Sequence, residues 1–429
     1  MKDRICIVEG VRTPMYRAGG ILKNTYADEL GVYAVKHLIN KADINKSLID
    51  NVIFGSVAMP MNAPNIARVI ALKAGLSIDL PAFSIQRNCA SGLDAIIAAY
   101  NRIKLKQDNF VIAGGAESMS NIPLVYRNSA VEKFAVLAKS KTFSKRLKAI
   151  MAFKFKDLAP IIALTQGLTD PVTGNIMGKT AEFLAREFNI TREEQDSYAL
   201  RSHQKAYKAQ YVGILAQEII NLPLKPKYNV ILEHDDGIKK DIDLVYLSKK
   251  KPFFDRLDGT VTVANSCQVT DGAAAVLVTT ESNAKSMGLN ILGYINYFTE
   301  AALSPDRMGL GPIYAINKLL DLSKLNIKDY DLFEINEAFA AQVIANEKAF
   351  ASDLFSKRYL NKDKALGEIS REKLNVNGGA IAIGHPVGMS GTRIVIHLLK
   401  ELHRRGNNRG IAAICVGGGQ GVAMDLSLS

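Results

Sequence analysis

No apolar run in this chain approaches the roughly 18 residues that a membrane-crossing helix needs, which excludes a chain built on such helices. The opening segment Met1-Lys-Asp-Arg-Ile-Cys-Ile-Val8 lacks the apolar core and small-residue cleavage site of a secretory signal. Cysteine is scarce. The four present, Cys6, Cys89, Cys267 and Cys415, lie far apart, form no CxxC pair and are too sparse for a disulfide scaffold. A reducing cytoplasm is the setting this implies. A nucleic-acid-binding motif is also missing, although the formal charge is +12. The lysines are spread along the chain, so the excess suits a generally basic surface or an anionic small molecule better than a nucleic acid.

The 429 residues suffice for two or three domains, and 48% hydrophobic with 22% charged residues is an ordinary globular balance. Strand and helix patterns alternate. Strands are expected at Ile5 to Val8, Asn51 to Gly55, Ala82 to Ile85 and Phe110 to Glu117, and helices at Asp28 to Asn40, Asn65 to Lys73 and Ser91 to Lys104. This alternation predicts an α/β domain around a largely buried sheet.

The last third repeats the plan. Tyr330 to Ile335 echoes Asp50 to Phe54, and His385-Pro-Val-Gly-Met-Ser-Gly391 leads into a helix bearing Ile394, Val395, Leu398, Leu399 and Leu402. A strand ending at Cys415 follows and runs into Val416-Gly-Gly-Gly419. Cys89 precedes the helix in the first copy and His385 in the second, so halves that face each other bring the two turns together. Chance similarity between two βαβ units answers to the same pattern.

Between the halves lies a different region, roughly 121–249. Its stretch Val131 to Pro160 holds Lys133, Lys139, Lys141, Lys145, Arg146, Lys148, Lys154 and Lys156 against Glu132 and Asp157. Phe143, Leu147, Ile150, Met151 and Leu158 fall near helical spacing, so a basic amphipathic helix is expected there. Its default role is a solvated face over a local core. An anionic cofactor tail, a partner subunit or an acidic membrane surface are the sharper readings. Further on, Gly178 to Glu187 reads as a helix, and Thr191 with Glu194 as the capping box of the next.

Four residues carry chemistry. Cys89 sits where a strand ends and a helix begins, where free N–H groups and the helix dipole favour a thiolate; a small thiol packed in such a corner looks the same. His385 lies in the glycine- and proline-fixed loop Gly384-His-Pro-Val-Gly388. Cys415 ends a strand just before three glycines whose N–H groups can form an oxyanion hole. Asn336, in Asn336-Glu-Ala-Phe339 after the strand ending at Ile335, can hold a water or an oxyanion. Two thiols and an imidazole suggest a division of labour. One thiolate carries an acyl group, the second thiol shuttles a proton, and the imidazole activates the first.

These stretches together resemble the thiolase family along essentially the whole length. They are Val11-Arg-Thr-Pro14 with Gly19-Gly20, Asn88-Cys-Ala-Ser-Gly92, Ala113-Gly-Gly-Ala-Glu-Ser-Met119, Gly259 to Asn265 with Asp271-Gly-Ala-Ala-Ala275, Asn336-Glu-Ala-Phe339, Gly378 to Pro386, and Cys415-Val-Gly-Gly-Gly419. The resemblance implies an α/β thiolase fold: two similar βαβαβαββ halves stacked as an α-β-α-β-α sandwich, with an inserted loop domain. The halves would be 1–120 with 250–282 and 283–429, and the insert 121–249. It implies Cys89 as acyl carrier, His385 as its activator and an oxyanion contact, Cys415 as acid and base, and Asn336 as holder of a water at one oxyanion site. The N–H groups of Cys89 and Gly417 would make the other. Met177 and Cys267 would lie near the pantetheine arm, with no catalytic role for Cys267. The implied reaction is reversible cleavage of 3-ketoacyl-CoA by coenzyme A into acetyl-CoA and a shortened acyl-CoA, with no metal and no tightly bound cofactor.

Within the family, the basic insert is similar to the β-subunit of fatty-acid-oxidation trifunctional complexes, although that class often has His where this chain has Asn336. Short-chain biosynthetic thiolases often have His before the Met-Gly pair, where this chain has Ile176. The resemblance points to a homodimer or tetramer acting on acyl-CoA, with a hydratase/dehydrogenase subunit and a membrane surface as further partners. The rival readings are acetoacetyl-CoA formation by condensation, a ketoacyl synthase and a catalytically silent scaffold subunit.

Overall fold

Strands such as Val52-Ile-Phe54, buried on both faces, require a helix layer on each side of their sheet. The computed structural model, which describes residues 3–429, supplies those layers. In the first half, β1 (Ile5–Arg12), β2 (Asn51–Gly55), β3 (Ala82–Ile85), β4 (Val111–Glu117) and β5 (Thr270–Thr280) lie in the order β3-β2-β4-β5-β1. β2 is parallel to β3 and β4, while β5 is antiparallel to β4 and β1. In the second half, β6 (Gly293–Ala302), β7 (Leu332–Ile335), β8 (Arg409–Val416) and β9 (Gln420–Ser427) lie in the order β7-β8-β9-β6. Leu374 bridges to Phe333 in parallel, at the place that β3 takes in the first half. Among the described residues, β1 and β6 join the two sheets through two residue pairs, Cys6 with Tyr294 and Ile7 with Gly293.

Helices α1 (Ala27–Ala42) and α2 (Ile66–Lys73) cover the outer face of the first sheet. The other helices that layer the sheets are α3 (Ser91–Lys104), α4 (Gly311–Ser323), α5 (Ala340–Phe350) and α6 (Ser390–Arg405). α4 and α5 cover the outer face of the second sheet, and α3 packs on α6 between the sheets. The result is an α-β-α-β-α sandwich with three hydrophobic clusters, one under each outer layer and one around the central pair. α6 is buried on almost every side, so even its Arg393, His397 and Glu401 are enclosed.

Two sequence expectations need correction, and one strand was not foreseen. β1 continues to Arg12, well past Val8, because Glu9 to Arg12 keep pairing with β5 beyond an irregularity after Ile7. The long antiparallel strand Thr270–Thr280 carries Asp-Gly-Ala-Ala-Ala, a composition with little strand propensity. The basic stretch forms three helices, Asn128–Lys139, Phe143–Met151 and Phe155–Leu158. Thr142 starts the second by accepting from the Lys145 N–H, and Asp157 starts the third by accepting from the Lys154 N–H at 2.8 Å. Phe143, Met151 and Phe155 are 81%, 70% and 97% exposed, so they do not cover a local core. Phe134, Leu137, Ile150, Phe153 and Leu158 line an open apolar groove of about 400 Å³ beside them. The capping box of Thr191 and Glu194 forms as read. Among the described residues, no helix is long and apolar enough to cross a membrane.

Candidate active site

The nucleophile candidate is aimed by a strained turn. Asn88 adopts a left-handed φ of 43°, and its side-chain amide donates to the Gly417 carbonyl at 2.8 Å. Ser91 closes the turn, donating to the Asn88 carbonyl at 2.7 Å and accepting from the Arg87 N–H at 2.9 Å. Cys89 is half-buried between them. Burial pushes the thiol's pKa up to about 11, outweighing the lowering by the nearby backbone N–H groups of Gly417 and of Cys89 itself. Burial thus opposes the helix N-terminus that favours a thiolate, in keeping with the expectation that the imidazole activates this thiol.

His385 enters through a residue that must be glycine. Gly384 has a φ of 105°, and a Cβ on it would lie 2.4 Å from the Thr270 side chain. The His385 N–H donates to the Gln268 carbonyl at 2.9 Å. The ring Nδ1 lies 2.6 Å from the Ser390 Oγ, whose hydroxyl donates to the Pro386 carbonyl at 3.1 Å. That network assigns the proton to Nδ1 and leaves Nε2 free. Burial first, then the nearby Arg393, push the imidazole down to about 4, so it is neutral near pH 7. Nε2 is buried without a protein partner.

Cys415 is buried one residue before the end of β8, which runs on to Val416 where the sequence reading ended it at Cys415. Burial first, then repulsion from Cys89 and Cys267, push its pKa well above the ordinary thiol range, which keeps it protonated. The turn after it needs Gly418 and Gly419, with φ of 89° and 81°. Asn336 follows β7, and its N–H donates to the Ala413 carbonyl of β8 at 3.0 Å. Its side chain is fully buried, and neither amide atom has a protein partner. Glu337 anchors that segment by accepting from Tyr198 at 3.1 Å, Ser202 at 2.7 Å and Asn375 at 3.1 Å.

The starts of α3 and α6 touch, which brings the two turns together. Thr392 donates to the Gly92 carbonyl at 2.9 Å, and a Cβ on Gly391 would lie 2.5 Å from the Leu93 nitrogen. Cys267 lies close enough to Cys89 and Cys415 for their charges to interact, and its N–H donates to the Ala338 carbonyl at 2.9 Å. The Met177 sulfur is 3.2 Å from where a Gly417 Cβ would stand. Met177 and Cys267 thus flank the cluster. Asn88, Ser390 and Glu117 escaped the sequence reading as single residues. A carboxylate closing the strand Val111-Ile-Ala-Gly-Gly-Ala-Glu117 was the signal available for Glu117.

A neutral imidazole and a thiol on two touching turns, with a second, protonated thiol beside them, are a set suited to acyl transfer through a thioester. Comparison with known proteins agrees. The family model "Thiolase, N-terminal domain" matches residues 5–282, and "Thiolase, C-terminal domain" matches 289–427. The 3-ketoacyl-CoA thiolase of Aliivibrio fischeri is 41% identical over 427 residues, covering 99% of this chain and 96% of that protein. That of Serratia proteamaculans is 41% identical over 423 residues, covering 98% and 96%. Among solved structures, the Bacillus anthracis acetyl-CoA acetyltransferase superposes with a TM-score of 0.87 at 35% identity, covering 99% of this chain and 98% of that one. Human mitochondrial 3-ketoacyl-CoA thiolase in complex with CoA gives 0.85 at 33%, covering 100% and 98%. The chain belongs to the thiolase family.

Proposed function

We propose that this enzyme cleaves 3-ketoacyl-CoA with coenzyme A, in fatty-acid β-oxidation, through an acyl thioester on Cys89. The observation that carries the reading is the contact of the α3 and α6 starts, Thr392 to the Gly92 carbonyl at 2.9 Å, which sets the Cys89 turn beside the turn of the neutral His385 imidazole. His385 Nε2 takes the Cys89 proton, and the thiolate adds to the C3 carbonyl. The C2–C3 bond then breaks, and Cys415 protonates the carbanion of the departing acetyl-CoA. A thiol held neutral by burial is the right acid for that carbon. In the second half-reaction the incoming CoA gives its thiol proton to Cys415 and attacks the thioester. Cys89 leaves and recovers its proton from His385. Asn336, with both amide atoms free of protein partners, would hold the water at the second oxyanion position. Met177 and Cys267 would border the pantetheine arm. Coenzyme A and acyl-CoA act as substrates, with no tightly bound cofactor. The same steps run backwards join two acetyl groups, and acetyl-CoA acetyltransferase is the name of one structural neighbour.

The organisation that goes with this reading is a first half of 1–120 with 250–282, an insert of 121–249 and a second half of 283–429. A homodimer or tetramer is supported by β3, an open edge strand whose Phe83 is 37% exposed. The exposed Phe143, Met151 and Phe155 beside Lys145, Lys148 and Lys154 support contact of the insert with a hydratase/dehydrogenase subunit or an acidic membrane surface. Bacterial relatives support a cytoplasmic location.

The test is mass spectrometry of the enzyme quenched during turnover of a 3-ketoacyl-CoA. The expected acyl adduct maps to Cys89 and is absent in Cys89→Ser. Full acyl transfer by that variant would refute the assignment.

A further inference from the structure

Glu117 ends β4 at the seam between the two halves and is completely buried. Its Oε2 accepts from the Val57 N–H and the Gly388 N–H, both at 2.9 Å, and its Oε1 from the Ala58 N–H at 3.0 Å. Val57 and Ala58 follow β2 of the first half. Gly388 lies three residues after His385, in the turn that opens α6. Among the described residues, no Lys, Arg or His pairs with this carboxylate, so three backbone donors hold it alone. The packing is as tight as the bonding. A Cβ on Gly388 would lie 2.7 Å from Oε2, and one on Gly115 would lie 2.1 Å from the Gly388 carbonyl.

We infer that Glu117 is a positioning residue: as a carboxylate it clamps the His385 turn to the first half and so sets the base against the Cys89 thiol. The inference rests on the thiolase reading of the site, but its own test can fail while Cys89 still forms the thioester. Three donors converge on two oxygens, an arrangement that only the ionised form satisfies without conflict. A protonated carboxyl brings a hydrogen of its own into a ring of N–H groups and finds no acceptor among them. Burial pushes the carboxyl up, the three N–H bonds pull it down, and the balance stands at about 7. The titratable groups that act on it are Asp271 on β5 and Cys89 before α3. Asp271 is itself engaged by Ser118 and Ser120. His385, held near 4, does not titrate in the same range.

The sign follows from these states. Above neutrality Glu117 is ionised and the clamp is closed; as pH falls through about 7 it is protonated and the turn loosens. The experiment is the pH profile of acyl transfer from 3-ketoacyl-CoA, between pH 5.5 and 9, for wild type and Glu117→Gln. Wild type should show an acid limb near 7. Glu117→Gln should lose that limb and run roughly 10- to 100-fold slower in kcat with KM little changed, the scale of a catalytic group displaced by about 1 Å. Thioester trapping on its Cys89 should persist at the reduced rate. A wild-type profile without ionisation between pH 6 and 8, or a Gln variant that keeps both limb and rate, overturns the inference. Should the Gln variant not fold, Glu117→Asp decides: it keeps the charge but shortens the reach. A lower kcat with the limb retained supports the clamp, and wild-type kcat overturns it.

Discussion

Gly391→Ala tests whether contact between the two central helices sets the distance from nucleophile to base. The added Cβ would stand 2.5 Å from the Leu93 nitrogen and 3.1 Å from its Cα. Backbone atoms cannot rotate away, and comfortable carbon contacts begin near ~3.5 Å, so the helix starts must part by about 1 Å. The stability change is small because two effects oppose each other. Overpacking costs about 1–3 kcal/mol, while alanine gains up to ~1 kcal/mol over glycine in a helix. The midpoint of thermal unfolding should fall by only a few degrees. Activity should fall far more, on the order of 100-fold, because Cys89 and His385 are attached just before the two starts that are pushed apart. Differential scanning calorimetry and steady-state acyl transfer on one preparation separate the two effects. Gly167→Ala, where an added Cβ meets nothing within 4 Å, serves as control and should change neither. A Gly391→Ala enzyme within twofold of wild-type kcat would refute the geometric link.

Two further expectations concern other parts of the molecule. Cys415→Ser should slow the carbon–carbon step by roughly 100-fold or more while leaving acyl transfer to Cys89 partly intact, read by comparing condensation with thioester formation; equal rates for variant and wild type would remove Cys415 from proton transfer. Arg12→Leu should leave the buried Asp235 without its cation and Glu218 with only His397, where Arg12 now meets the two at 2.7 Å and 2.6 Å. The loss of about 3–5 kcal/mol would lower the unfolding midpoint by roughly 3–6 °C in a chain of this length, and a calorimetric shift under ~1 °C would contradict it.

The parts of the fold that announce themselves in sequence are those whose side chains alternate or recur for burial. Val52-Ile-Phe54 and the Leu93, Ile96, Ile97 and Ile103 stripe are of this kind, and both formed where expected. β5 was silent because its packing demands small residues: a Cβ on Gly272 would meet Met15, Met389 and Pro386 all at 3.1 Å. Such a strand is written by its neighbours rather than by its own propensity. The breaks in the basic segment were legible in principle, since Thr142 and Asp157 are ordinary capping residues. The residues of the site were readable from the paired turns. Their protonation states were not. The helix dipole at Cys89 can be inferred from a strand–helix corner, but the depth of burial that overrides it depends on residues hundreds of positions away. Asn88 and Ser390 were missed for a related reason, because their work is to aim a neighbour rather than to react.

The placement of β5 between β1 and β4 also fixes an order of assembly. β1 and β4 are complete by residue 117, yet neither pairs with the other, and the strand that joins them ends at Thr280. During synthesis the first sheet must therefore wait while the whole insert emerges, holding an apolar strand without its partner. Contacts so distant in sequence form slowly and leave edges open to wrong pairings. The second half has a shorter gap of the same kind: β6 ends at Ala302 and its partner β9 begins at Gln420, directly after β8 and its glycine turn. Once β5 docks, the surface for α3 is finished and α6 can be received against it. The thiol is thus seated before its base arrives, and a nascent chain has no competent site until almost its last residue is made.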